Sequence, residues 1–385
     1  MEPSNVMKRL KARRQRQAGA LLFFTCFIVG FIAGSLSSTK ASEGEVLFTI
    51  AYSSEKEGWM EQIKQKFLDW YAAKYPDEHI KLNFFPVGSR DSIIAILNGQ
   101  YKPAIWSPAA STWVPILNYL WQQQSPAGAP TLTTINATAI YSPIVVATWE
   151  SIMAAYNLSS MWDMYNLTLA SPSPIKLAHT DPRSSNSGFC AIIMEVAAAA
   201  RKNSTDLTLN DLTNTTIQAW VKQFESVAVQ YGTSTGYLVQ SMLQSGPSGI
   251  TSAFLYENLI IEKSGDAKAQ WGDGIVAMYP AEGSVHSDHP FCVLDGAPWM
   301  ANNQALMNVS TRFVNLFLME QDILELATHH GFRVYNKTIT LPVDVFSSAN
   351  GVMYNISSIP KMDVPRATNF TNRVADFWLM NRPVF

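Results

Sequence analysis

Six of the chain's 28 lysines and arginines fall within nine residues: Lys8, Arg9, Lys11, Arg13, Arg14 and Arg16. They abut a run of 19 residues, Ala18 to Leu36, that carries no charge. At about 1.5 Å of helical rise per residue, such a run crosses a bilayer core of roughly 30 Å. A cleavable export signal has a shorter apolar stretch, usually about 7–15 residues, and the single cleavage-like spot here ends at Ala41. The expectation is therefore an uncleaved transmembrane anchor. The positive-inside rule orients it: residues 1–17 are a basic cytoplasmic segment, 18–36 span the cell membrane, and everything from about Ser37 is extracellular.

The remainder is a different kind of chain. Without the basic block and Glu2 it keeps 22 positive and 29 negative side chains, about −7, so neither nucleic acid nor anionic lipid attracts it. With 47% hydrophobic residues it can bury a core. Residues 37–44 are small and polar and form a short linker. Nine Asn-x-Ser/Thr sequons begin at Asn136, Asn157, Asn166, Asn203, Asn214, Asn308, Asn336, Asn355 and Asn369, where composition alone gives about 3–4. All nine follow the apolar run, as an exported, glycosylated surface requires. Cys26 lies in the apolar run, leaving Cys190 and Cys292 outside it, too few for a disulfide scaffold. Both are expected as free or buried thiols.

No fixed-period repeat is present, which removes solenoids and propellers. Strand and helix patterns alternate instead. EVLFTIAYSS reads as a buried strand, followed by a helix with Trp59, Ile63, Phe67, Trp70 and Tyr71 on one stripe. HIKLNFFPV leads into GSRDSIIAILNGQ, and KPAIWSPAA leads into STWVPILNYLW. Three such units predict a mostly parallel, doubly wound α/β sheet. A second set starts after SPIVVATW: IKLAHTDPRSSNSG opens into an Ala-rich helix, VKQFESVAVQ precedes a turn at GTSTG, and GITSAFLYENLIIE and DGIVAMYPAEGSV read as two more strands. Two α/β lobes are the economical solution.

In order along the chain, AYSSE, FFPVGSRDSIIAILNG, KPAIWSPAAS, LAHTDPRSSNSGFCAIIM, GPSGITSAFLYEN and YPAEGSVHSDHPFCVLDGAPW with ATHHGFRVYN resemble the type II extracellular solute-binding proteins of ABC transporters. The similarity is to the molybdate- and sulfate-type branch, near the form often fused to von Willebrand A domains. It covers most of residues 45–385. The resemblance implies a Venus flytrap: lobe one from 45–143 and 281–385, lobe two from 144–280, hinged at SPIVVAT and IVAMYP. It further implies capture of a small polar solute, an oxyanion or a sugar, for an ABC-type permease, with a von Willebrand A protein as a further partner.

In open α/β sheets, ligands sit beyond the carboxyl ends of strands, where helix N-termini offer unpaired N–H groups. The expected ligand-binding residues are Ser53, Ser54, Gly88, Ser89, Ser107, Ser185, Ser187, Gly188, Ser234 and Tyr256. The competing reading of each serine is a helix N-cap, and of Tyr256 a core aromatic. The loop after the third strand carries Pro108, Ala109 and Ala110 where the resembled family has an acid. Arg90 and Arg183 add positive charge; Glu257 and Glu282 oppose it.

Catalytic alternatives are weaker. GTSTG matches a nucleophile elbow at Ser234, with Asp288, His289, His329 and His330 downstream as the types a triad needs. Ser53-x-x-Lys56 imitates a penicillin-recognising motif without its companions and reads as a helix start. HSDHP reads as a solvated turn rather than a metal site, and no cofactor or metal is expected. The chain thus reads as a non-enzyme, with a cell-surface adhesion scaffold as the alternative and a serine hydrolase third.

Overall fold

The structure, a computed structural model, describes residues 44–365 and 368–384. The expected membrane span lies outside them; among the described residues no helix is long and apolar enough to cross a membrane. Thirteen strands are β1 (Glu45–Tyr52), β2 (His79–Pro86), β3 (Ile105–Ser107), β4 (Ile135–Ala137), β5 (Ile140–Trp149), β6 (Leu177–Thr180), β7 (Ala228–Gly232), β8 (Ser252–Tyr256), β9 (Ile275–Met278), β10 (Ser284–Ser287), β11 (Phe291–Val293), β12 (Arg333–Val334) and β13 (Lys361–Met362). They form two sheets. The first runs β2-β1-β3-β11-β4; the second runs β13-β10-β5-β8-β6-β7, with β12 and β9 also paired to β5.

Both sheets are mixed rather than mostly parallel. β1 and β3 are parallel, as are β6 with β7 and with β8, but β11 runs antiparallel to β3 and β4, and β5 antiparallel to β8 and β9. The antiparallel strands carry the chain between halves, a direction that simple β-turn-α counting does not reveal. β5 serves both ends of its sheet: Ile140 to Pro143 pair with β12 and β10, and Ile144 to Trp149 with β8 and β9.

The first sheet is covered by the Glu57–Lys74 helix, which buries Trp59, Ile63, Phe67 and Tyr71 at four-residue spacing, one stripe of a helix. Phe67 meets Phe313 edge-on at 4.8 Å and Phe317 at 4.9 Å, so an aromatic layer closes this half. The second sheet is covered by the Asn186–Ala200 helix, mostly apolar and buried from Asn186 to Ala198, Glu195 included. A helix without a polar face needs an outer cover. The Thr215–Glu225 helix and the C-terminal Val374–Asn381 helix supply it, with Trp378 against His179 and Tyr231. The C-terminal helix thus packs on the helices over the second sheet, whereas the resemblance groups residues 281–385 with lobe one.

Another departure follows from short strands. SAFLYENLIIE is not one strand: β8 ends at Tyr256 and a helix runs Glu257–Trp271, because Glu257, Asn258, Leu259 and Ile260 already follow helical contacts. Gly188 decides how closely that core helix meets β6. A Cβ there would lie 1.7 Å from the Thr180 carbonyl oxygen. Gly188→Ala should therefore destabilise by about 3 kcal/mol, the upper end of overpacking costs; chemical denaturation checks this, and an unchanged midpoint would contradict the packing.

Candidate functional site

Beyond Tyr52 the chain turns through a short 3-10 helix, Ser54–Lys56, which lies where the two sheets' helix layers meet. Gly236 N–H donates to Ser54 Oγ at 3.1 Å, and Asn258 Nδ2 donates to the Glu55 carbonyl at 2.9 Å. Trp113 Nε1 donates to Asn186 Oδ1 at 2.8 Å. Each of these bonds joins residues of the first half to residues of the second.

Lys56 is fully buried there. Its ammonium donates to Ser53 Oγ at 2.6 Å and to the carbonyls of Ser107 at 3.0 Å and Pro108 at 3.2 Å, using all three of its protons. Glu55 Oε1 lies 3.7 Å away and accepts a short hydrogen bond from Ser53. His289 Nδ1 sits 3.1 Å from the same oxygen without hydrogen-bond alignment. Burial pushes Lys56 down to about 8, against the Glu55 charge. Burial alone would raise Glu55, but the Lys56 charge, then His289 and Ser53, hold it at about 2. Burial and the Lys56 charge keep His289 below its ordinary value. The result is a neutral imidazole beside a compensated ion pair. His289 also has φ 42, a left-handed backbone that a non-glycine residue adopts under constraint.

The ten expected residues all lie buried, yet many are already engaged. Ser89 Oγ accepts from Ala109 N–H at 3.0 Å. The first N–H groups of the Ser89–Leu97 helix, those of Arg90 and Asp91, donate to the Ser184 carbonyl at 3.1 and 3.3 Å, so a carbonyl of the other half occupies the expected anion position. Gly88 permits this approach, since a Cβ would stand 2.8 Å from that oxygen. Ser187 Oγ bonds Thr180 Oγ1 at 2.8 Å and Thr235 Oγ1 at 2.6 Å, while Gly188 N–H donates to Thr180 Oγ1 at 2.7 Å. Ser185 is the N-cap of its helix without a side-chain cap bond. Tyr256 is a core aromatic whose hydroxyl accepts from Asn186 at 2.9 Å. Ser53 and Ser54 join the Lys56 network.

Pattern reading missed Glu55, Asn186 and Asn258, and it read Lys56 as part of a helix start and His289 as part of a solvated turn or a candidate triad. Two adjacent charges, Glu55-Lys56, directly after an apolar strand were the available signal. HSDHP is not a solvated turn: His289 is buried, and Asp288 Oδ1 accepts from Ser111 N–H at 2.7 Å. Pro108 and Ala109 act through backbone groups, which explains how an acid-free loop still belongs to the site. Arg183 pairs with Asp181, Glu257 with Arg333, and Glu282 accepts from Met161 N–H, so none of the three enters it.

Among the described residues, six buried polar atoms around this network lack hydrogen-bond partners: Tyr52 OH, Ser107 Oγ, Ser234 Oγ, Asn258 Oδ1 and both ring nitrogens of His289. Buried groups in that state are costly unless water or a ligand meets them. Two open depressions lie elsewhere. One of about 560 Å³ is lined by Leu97, Trp121 and Pro130, and one of about 500 Å³ by Tyr141, His286, Arg333 and Tyr354. Ser234 does follow a strand and precede a helix, as a nucleophile elbow would, but its hydroxyl bonds no histidine. Cys190 and Cys292 are free and buried.

No protein-family model and no curated protein matches the sequence. Solved structures do match the fold. A periplasmic thiamin binding protein superposes with TM-score 0.58 at 11% identity, covering 90% of this chain and 99% of its own. The periplasmic binding protein AfuA of Actinobacillus pleuropneumoniae, with fructose-6-phosphate bound, gives 0.56 at 14%, covering 88% and 99%. A putative extracellular solute-binding protein of Bordetella parapertussis gives 0.53 at 12%, covering 87% and 98%. The chain has the mixed α/β fold of periplasmic solute-binding proteins.

Because Lys56 gives up its proton near 8 when folded and near its ordinary 10.5 when unfolded, the unfolded chain holds more protons between those values. Stability attributable to Lys56 therefore rises with pH across that window. The wild-type minus Lys56→Met difference in unfolding free energy should climb from pH 8 to 10.5, read by denaturant titration. Near pH 7, Lys56→Met should cost about 3–5 kcal/mol, since it leaves Glu55 buried without its partner.

Proposed function

We propose that this protein captures a small polar solute between two hinged halves, outside the cell, and delivers it to an ABC-type permease. The observation that carries the reading is the set of unpartnered buried hydroxyls and amide at the interface of the halves, Ser107, Ser234 and Asn258, flanking Lys56. In solute-binding folds this is the place beyond the strand ends where ligands are held. Hydroxyls and a compensated Lys–Glu pair suit a neutral or zwitterionic polar solute better than a multiply charged oxyanion, which Glu55 would repel. Ser89 and Ser187 spend their hydroxyls on internal bonds, so ligand contact falls to Ser107 and Ser234.

A membrane anchor at residues 18–36 and N-glycosylation complete the proposal. Eight of the nine sequon asparagines are exposed, and Asn308 is half-buried on a helix. N-glycosidase treatment of protein from a glycosylating host should shift its mobility, and Asn308→Gln should leave that shift unchanged.

One observation favours a second reading, a surface scaffold that keeps the fold: Glu55 and Lys56 fill the interface with the chain's own side chains. The two readings part in a thermal-shift screen of the full-length protein against sugars, amino acids, oxyanions and small peptides. A ligand that binds only the folded state raises the melting temperature by mass action. Capture predicts a shift with one chemical class, lost in Ser107→Ala/Ser234→Ala. No shift across the panel with well-folded protein supports the scaffold.

A further inference from the structure

The second half holds a polar cluster that solute capture does not use. His179 on β6, Glu195 in the middle of the Asn186–Ala200 helix and Glu225 at the end of the Thr215–Glu225 helix converge in the core, all 0% exposed. One donor atom from each lies within 4.8 Å of the others. His179 Nδ1 faces the Thr180 carbonyl at 2.7 Å; a carbonyl only accepts, so Nδ1 carries the hydrogen. In the neutral ring Nε2 is then a lone pair, and it points at Glu225 Oε1 at 2.9 Å. Two acceptors at that distance require a proton or a metal ion between them.

Glu195 sharpens the requirement. As a carboxylate it meets no donor at either buried oxygen, and only a proton held between it and Glu225 gives it a hydrogen bond. Among the described residues no lysine or arginine reaches Glu195 or Glu225; the ion pair of Glu225 is with His179 alone. Tyr231 OH donates to Glu225 Oε2 at 2.5 Å, and Arg382 lies over the Trp378 ring at 4.7 Å, outside the cluster. Burial, then the Glu225 charge, holds the Glu195 carboxyl well above the usual carboxylate range.

We propose that His179, Glu195 and Glu225 form a structural site for a divalent transition-metal ion, zinc being the best fit. Nε2 of His179, Oε1 of Glu225 and the two free oxygens of Glu195 supply four N/O donors, the number a closed zinc site takes. Imidazole disfavours calcium and magnesium, which prefer oxygen alone. The outer partners are those of metal-bound histidine and carboxylate: a backbone carbonyl fixing the Nδ1 tautomer and a tyrosine hydroxyl on the spare Glu225 oxygen. Charge balances as well, since one dication replaces the protons of an imidazolium and a carboxylic acid. The ion ties β6 to both helices above it and enters as this half folds.

The test uses full-length protein unfolded and refolded with a twofold excess of zinc, then desalted and analysed for metal by mass spectrometry. The site predicts about one tightly held zinc per chain, a melting temperature that falls when refolding is done with a chelator instead, and a visible cobalt spectrum of tetrahedral intensity on cobalt refolding. Glu195→Gln and His179→Gln should each lose the metal and the chelator sensitivity while keeping the fold by circular dichroism. Folded wild type with only trace metal, or a Glu195→Gln variant that retains as much metal as wild type, overturns the proposal. Wild type that is metal-free and equally stable with chelator assigns the cluster to shared protons and overturns it too. If either variant fails to fold, the wild-type metal content and cobalt spectrum decide alone.

Discussion

A single ammonium group governs how the two sheets meet. Lys56 is buried at 0% exposure, so its charge must be met by protein atoms, and all of those come from the first half: Ser53, Glu55 and the carbonyls of Ser107 and Pro108. Holding them around one point fixes the Ser54–Lys56 turn, whose own backbone and hydroxyl then receive Asn258 and Gly236 from the second half. Desolvation makes this arrangement all-or-none. A buried ion pair with complete hydrogen bonding is tolerated, whereas the same pair with one partner removed is strongly destabilising.

Much of the fold was legible in the sequence because it rests on apolar spacing. The stripe Trp59, Ile63, Phe67, Tyr71 and the Ala-rich, mostly apolar helix after Gly188 announce themselves by spacing and composition. The strands that follow short turns were less legible: β8 is five residues long and its apolar pattern continues into a helix, where period-2 and period-3.6 readings coincide. The place of the C-terminal helix stayed open in the sequence because its partner, the outer face of the Asn186–Ala200 helix, is identified only once the core is assembled.

The candidate site was half legible. Serines and glycines at strand ends mark where halves meet, and all ten expected residues do lie buried there or at the helix starts around it. Pattern could not say which hydroxyls would be consumed. Ser187 and Ser107 look alike in sequence, yet one sits between two threonines and the other has no partner. Glu55 was read past and Lys56 taken for a helix start because isolated charges normally belong to the surface. His179, Glu195 and Glu225 are 16 and 30 residues apart along the chain, with no motif spacing. Only the stacking of two helices on β6 brings them together.

The carbonyl of Ser184, seated on the first N–H groups of the Ser89–Leu97 helix through the gap that Gly88 leaves, changes what selectivity means for this protein. An open helix start greets any passing anion. Here a resident acceptor already holds it, tethered and at permanently high local concentration. If the protein captures solutes as proposed, a visitor would reach those amides only by displacing a group that never diffuses away, and weak, abundant anions would be turned aside by competition rather than by shape.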